Sequence, residues 1–295
     1  MRLIIVMSIS CLIPAYNEGQ NIRKVLDVVK DYKKFAEVIV IDDCSKDNTS
    51  LIVKEYSQNY PMIKLIQNKI NQGKSGAIKI GVKAAREELI VMLDADLIGL
   101  TENDIDRLIE PVQKREYAST ILDRAGDRTA IWGWTNCARF FGGERALWKE
   151  DFLKMDIPQR SGYLLETKMN FYYIENNKKI KTIYCPQLFT VHQYDKMPFM
   201  KGVYSYLKMS KQIINTATPL GFVVMFLKVE EEKFSYLYLL HSRAIIFAPI
   251  TIAVTLINST LIFLQLNIIR AVKLPRGVVD AYNSTLETLN RYINR

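Results

Sequence analysis

Four short apolar runs divide the first hundred residues: 8–13, stopped by Pro14; 38–41, ending on Asp42-Asp43; 62–66; and 89–93, ending on Asp94. The stretches between them carry helical spacing. Residues 21–32 put Ile22, Val25, Leu26 and Val29 on one face. Asp47-Asn48-Thr49 can cap a second helix reaching about residue 56, and residues 75–86 form a third. Thr101-x-x-Asp104 has the form of a capping box opening a helix to about residue 113. Alternation of this kind predicts an α/β fold, a mostly parallel central sheet flanked by helices on both faces. Ligands of such sheets bind at the carboxyl ends of the strands, where Pro14, Asp43 and Asp94 fall.

What binds there is a question of charge and spacing. The formal charge of +9 suits acidic partners, such as nucleotide phosphates, a lipid phosphate or an anionic membrane. Basic clusters are short and no arginine-rich arm is present, which argues against nucleic acid. The four cysteines never form C-x-x-C, so neither a zinc site nor a redox motif is expected, and reduced thiols fit a cytosolic setting. The opening MRLIIVMSISCLIPA has the outline of a very short lipoprotein signal, but its apolar run reads better as the first strand.

Gly73-Lys74-Ser75 has the ending of a P-loop, yet the glycine that should open such a loop is replaced by Asn68. Asp94-Ala95-Asp96 fits more of the chain. In extended backbone, residues i and i+2 point to one side, so the carboxylates converge. Converging carboxylates repel unless a cation or proton lies between them. Mg²⁺ or Mn²⁺, held by one or two carboxylates and substrate phosphates, is the natural solution.

At this point four motifs, CLIPAYNEGQNI, VIVIDDCSKDNT, NQGKSGAIKIGVKAA and LIVMLDAD, occur in an order that resembles the nucleotide-sugar domain of family 2 glycosyltransferases with the GT-A fold. The resemblance is close over residues 8–96 and looser, through FGGERAL, GYLLETKMN and VHQYDK, to about residue 208. It implies a Rossmann-like GT-A core with a nucleotide-sugar-binding part (1–125) and an acceptor-binding and catalytic part (126–216); composition adds a hydrophobic, helical, membrane-associated C-terminal region (217–295). It also implies that Pro14, Ala15, Tyr16 and Glu18 hold nucleobase and ribose, and that Asp43 bonds the base edge with Lys74 beside it. Asp94 then lies near the ribose and donor sugar, and Asp96 binds the metal.

Downstream, the resemblance makes His192 a candidate further metal ligand and Glu166 a candidate general base near the acceptor, with Asp151 of the Glu150-Asp151 pair as its rival. Arg139 and Arg145, near the Gly142-Gly143 turn, suit phosphate on donor or acceptor. Trp132 and Trp134 suit stacking on a sugar or lining a lipid groove, with a core position as the alternative. Lys196 and Lys201 lie in HQYDKMPFMKG, a loop suited to closing over the diphosphate.

Residues 244–269 are 26 in number, carry no charge and sit between Arg243 and Arg270. A spanning helix needs roughly 20 apolar residues. Pro249, Asn258-Ser259-Thr260, Gln265 and Asn267 interrupt the run, so it spans, dips into one leaflet or packs on the domain. Membrane contact favours a lipid acceptor at the cytoplasmic face, with a plain cytoplasmic location otherwise. The expected activity is metal-dependent transfer from a UDP- or GDP-sugar to a polyprenyl-phosphate or other lipid. The branch it most resembles is the polyprenyl- and dolichyl-phosphate sugar synthases. Transfer to a glycan or a small soluble acceptor is the second reading. A P-loop-type NTPase and a non-catalytic scaffold stand behind it.

Overall fold

Ile9, Cys11, Leu12 and Ile13 have no exposed surface, as a parallel strand covered on both faces requires. They belong to β1 (Ile9–Ala15), the first element of the computed structural model, which describes residues 8–124, 142–159, 164–190 and, through the backbone, 229–231. Then follow α1 (Ile22–Val29), β2 (Phe35–Asp42), α2 (Thr49–Asn59), β3 (Ile63–Gln67), α3 (Gly73–Ala84), β4 (Leu89–Met92), β5 (Leu97–Ile98), α4 (Glu102–Gln113) and β6 (Ser119–Arg124). Beyond residues 125–141 come β7 (Arg145–Trp148), α5 (Lys149–Lys154), α6 (Leu164–Glu175), β8 (Ile180–Cys185), β9 (Phe189–Thr190) and β10 (Val229–Glu231). The chain divides into two compact units, Met1–Glu232 and Lys233–Arg295, and all described residues lie in the first.

The helix patterns hold. Ile22, Val25, Leu26 and Val29 are all buried, the face their spacing predicts. At α4 both bonds of the capping box are present: Asp104 N donates to Thr101 Oγ1 at 3.2 Å, and Thr101 N to Asp104 Oδ2 at 3.0 Å.

Eight strands form one sheet in the order β10-β8-β6-β7-β4-β1-β2-β3. Neighbours are parallel except at β7, which is antiparallel to both β4 and β6. One buried cluster takes residues of α1, α2 and α4, and a second takes residues of α3, α5 and α6, so apolar layers cover both faces.

Strand order reverses between β1 and β4, the kind of switch point where open α/β sheets bind ligands. There Asp43 N donates to the Ala15 carbonyl at 2.8 Å and Leu93 N to the Leu12 carbonyl at 3.0 Å, so PAYNE, DDC and DAD emerge side by side.

β7 and α5 carry no recognisable period in the sequence, and β7 does the most to shape the site. Arg145 pairs with Met92 and Trp148 with Leu89, so the Gly142-Gly143-Glu144 end of the strand lies beside the Asp94 end of β4. The short antiparallel pair β5–β9 brings Thr190 opposite Leu97, one residue past Asp96.

Candidate active site

The glycine-lysine turn is closed by a carboxylate. Asp43 Oδ1 accepts from Asn68 Nδ2 and Gln72 N, both at 2.8 Å, and Oδ2 accepts from Gly73 N at 2.7 Å. Gly73 adopts φ +75°, a conformation that favours glycine. Backbone N–H groups that a P-loop would aim at phosphate are thus engaged by Asp43, and the turn is no Walker A loop. The same bonds tie the end of β2 to the start of α3. Of the PAYNE residues, Ala15 is buried, Pro14 and Glu18 are half-buried, and Tyr16 is 45% exposed.

Lys74, on the first turn of α3, reaches across the switch point. Its Nζ lies 2.8 Å from Asp94 Oδ1 and 3.1 Å from Glu166 Oε1, joining the strand end to α6. Loss of hydration works against the ammonium, but Asp94, Glu166 and Glu144 outweigh it and raise its pKa above the ordinary lysine value. Burial likewise opposes the Asp94 carboxylate, yet Lys74 and Arg124 hold its pKa below the usual range.

Two members of this cluster escaped the sequence reading. Arg124 Nη1 lies 2.8 Å from Glu144 Oε1 and 3.9 Å from Asp94 Oδ2. Glu144 has no exposed surface, and among the described residues its Oε2 has no hydrogen-bond partner within ordinary distance. Burial foremost, opposed by Arg124 and reinforced by Asp94, pushes the Glu144 carboxyl up to about 7. Arg124 ends a strand at the ligand-binding edge, a signal that could have found it. Glu144 gave none, because its place depends on the direction of β7.

Gly143 before it packs against these charges. A Cβ on Gly143 would fall 2.8 Å from both Asp94 carboxylate oxygens and nearer still to Lys74 Nζ.

Two of the candidates are engaged within the fold. Arg145 has no exposed surface. Its Nε donates to the Gly142 carbonyl at 2.9 Å and its Nη1 to Asn170 Oδ1 at 2.6 Å, fastening the glycine turn to α6. Burial lowers its pKa to about 10, with Glu166 opposing. Asp151, the rival base, sits in α5, which starts where Lys149 N donates to the Glu88 carbonyl at 2.8 Å, at the end of β4 opposite Asp94. It is paired there with Lys178 and Tyr172.

Glu166, by contrast, is in the cluster, buried at 6% exposure. Trp132, Trp134, Arg139, His192, Lys196, Lys201 and the apolar run 244–269 lie outside the described residues. Among the described residues no helix is long and apolar enough to cross a membrane.

Asp96 stands among other carboxylates. Burial, then the neighbouring carboxylates of Asp94 and Glu18, push its pKa up to about 6, although Arg124 and Lys74 oppose them. A divalent cation would remove that excess of negative charge. No group of three or more His, Cys, Asp or Glu suited to a metal occurs among the described residues. Any ion here therefore needs oxygen ligands from the substrate or ligands from elsewhere in the chain.

A family model described as glycosyl transferase family 2 matches residues 10–186, more than half of the chain. The chain belongs to this family. Among its relatives, a dolichyl-phosphate beta-glucosyltransferase of Trichomonas vaginalis is 37% identical over 111 residues, 35% of this chain and 34% of that protein. The Homo sapiens protein of the same name is 36% identical over 112 residues, 34% of each chain. The match thus spans about a third of the length of these curated relatives. A crystal structure of glucosyl-3-phosphoglycerate synthase from Mycobacterium tuberculosis, in complex with Mn²⁺, UDP and phosphoglyceric acid, superposes with a TM-score of 0.57 at 18% identity. It covers 70% of this chain and 76% of that one and shares the GT-A fold.

Proposed function

We propose that the protein transfers a sugar from a UDP-sugar, with glucose the first to test, to a polyprenyl-type lipid phosphate at the cytoplasmic face of a membrane, using Mg²⁺ or Mn²⁺ held through Asp96. The observation that carries the proposal is the convergence of Asp43, Lys74, Asp94, Asp96 and Glu166 at one switch point, with an Asp96 carboxyl short of positive charge. The relatives' names favour the lipid-phosphate acceptor and glucose, and the neighbour's contents favour UDP and a divalent ion. Residues 244–269 favour the membrane.

Each residue has a task that its surroundings suit. Asp43 offers about four acceptor positions and three are filled, leaving one for a base with a single N–H on its edge, such as uracil. Asp94, kept ionised by Lys74, accepts hydroxyls of the ribose or donor sugar. The cation, when bound, neutralises charge that develops on the leaving diphosphate. His192 is the candidate second ligand by its match to the family. A lipid phosphate is ionised at neutral pH and needs no protein base. Glu166 then serves to hold the Lys74 ammonium against the reacting groups.

The test is calorimetric titration of UDP, GDP and ATP with and without Mn²⁺, on the wild type and Asp96→Asn. UDP binding that requires Mn²⁺ and weakens at least about tenfold in the variant is expected. Metal-independent binding of ATP, equal in both proteins, would sink the proposal.

Gly143→Ala checks the geometry independently. The added methyl must displace Asp94 or Lys74. A misplacement of about 1 Å costs on the order of 100-fold in rate. Initial transfer rates should fall by about that factor, and a near-wild-type rate would show that the turn yields freely.

A further inference from the structure

The motifs PAYNEG and DDCSKDNT contain residues to which the proposed function gives no task, Asn17, Gly19, Ser45, Asp47 and Thr49 among them, and these residues bond to one another. Asn17 N donates to Ser45 Oγ at 2.9 Å, and Lys46 N donates back to Asn17 Oδ1 at 2.8 Å. Next along the chain, Glu18 N donates to Thr49 Oγ1 at 2.9 Å and Gly19 N to Asp47 Oδ2 at 2.9 Å. Asp47 Oδ1 in turn accepts from Thr49 N at 3.0 Å and Thr49 Oγ1 at 2.5 Å. Beneath them, Asp42 accepts from Ser45 N at 3.0 Å and from Ser50 Oγ.

Three successive N–H groups of one loop are thereby satisfied by side chains of the other, 28 to 31 residues away. The backbone is shaped to match. Asn17 and Cys44 adopt φ +57° and +68°, a region asparagine enters more readily than most residues. Gly19 faces Asn48 so closely that a Cβ would overlap the Asn48 amide.

We infer that Asn17 is a positioning residue for the donor nucleotide, locking the PAYNE and DDCS loops into one preorganised clamp together with Ser45, Asp47 and Thr49. This inference rests on the donor reading for what the clamp holds, but not for its existence. Without the Asn17 side chain the bond from Lys46 N is lost, the remaining bonds from Glu18 and Gly19 hold the loops less firmly, and binding must order them further. Affinity for the nucleotide falls, while the sugar-transfer step, which depends on Lys74, Asp94 and Asp96, keeps its rate.

Asn17→Gly separates the side chain from the backbone, since glycine keeps φ near +57° accessible while removing the acceptor. Asn17→Asp retains an acceptor for Lys46 N–H. With Mn²⁺ present, UDP affinity and the donor KM should worsen about tenfold in Asn17→Gly, with kcat within about twofold, and Asn17→Asp should recover most of the loss. Unchanged UDP affinity in Asn17→Gly, or an equal loss in both variants, would overturn the inference. Amide exchange is the second readout. Protection of Lys46 N–H that is lost in Asn17→Gly supports the clamp, and equal exchange in the two proteins overturns it. Should the wild type bind no UDP at all, the donor reading fails, and exchange still decides whether the loops are locked.

Discussion

Lys74→Met is expected to lower sugar transfer by about 10²–10³-fold, the loss typical of removing one preorganised charge from an active site. The ammonium is held between Asp94 and Glu166, so its removal does more than delete a contact. It frees both carboxylates to repel each other and Glu144, and Asp94 loses the partner that keeps it ionised and oriented. Stability should suffer less than activity. Breaking a buried ion pair costs about 3–5 kcal/mol. Here the side chains of Lys74 and Asp94 retain 33% and 20% of their exposure, which reduces the expected cost to about 1–2 kcal/mol. The check is the initial rate with donor and a polyprenyl phosphate, measured beside a thermal melt. A rate within about threefold of wild type would remove Lys74 from the mechanism.

Glu166→Gln belongs to the same experiment, because it keeps a hydrogen-bond acceptor for Lys74 but abolishes any base. With a phosphate acceptor its loss should be about tenfold or less, since the acceptor arrives ionised. A loss as deep as that of Lys74→Met would point to a hydroxyl acceptor, and so to a glycan or small soluble substrate.

The second large effect concerns stability, at the opposite edge of the sheet. Glu37, without exposed surface in β2, accepts from Ser10 Oγ at 2.7 Å, Arg86 N at 2.6 Å and Lys64 Nζ at 2.6 Å. Burial opposes its charge, but Lys64, Arg86 N–H and Ser10 prevail and lower its pKa from 4.5 to about 2. That difference corresponds to about 3 kcal/mol in favour of the ionised, folded form. Because the folded pKa lies below the unfolded one, the contribution is complete above about pH 4.5 and fades as pH falls towards 2. Glu37→Gln should therefore lower Tm by about 5–10 °C at pH 7. In urea titrations the gap between variant and wild type should narrow steadily below pH 4.5. A gap independent of pH would mean that shape, and not charge, is what Glu37 contributes.

Much of the fold from β1 to α4 was legible in the sequence. The face Ile22, Val25, Leu26 and Val29, the capping box at Thr101 and Asp104, and the strands ending near Pro14, Asp43 and Asp94 follow from patterns a few residues long. Period, capping and turn chemistry act between neighbours, so a sequence states them directly. The motif order added the family and the GT-A core.

What only the tertiary structure decided lies in and around a four-residue strand without a readable period. An arginine beside two glycines looks like a phosphate ligand. β7 inserts antiparallel between β4 and β6 and turns Arg145 into a buried clamp on Gly142 and Asn170. The same direction of chain carries Asp151 to the far end of the sheet and sets Glu144 beside Arg124 near Asp94. Which strand lies next to which, and in what direction, is settled by burial and backbone pairing between segments far apart in the chain. No window of neighbouring residues contains that information.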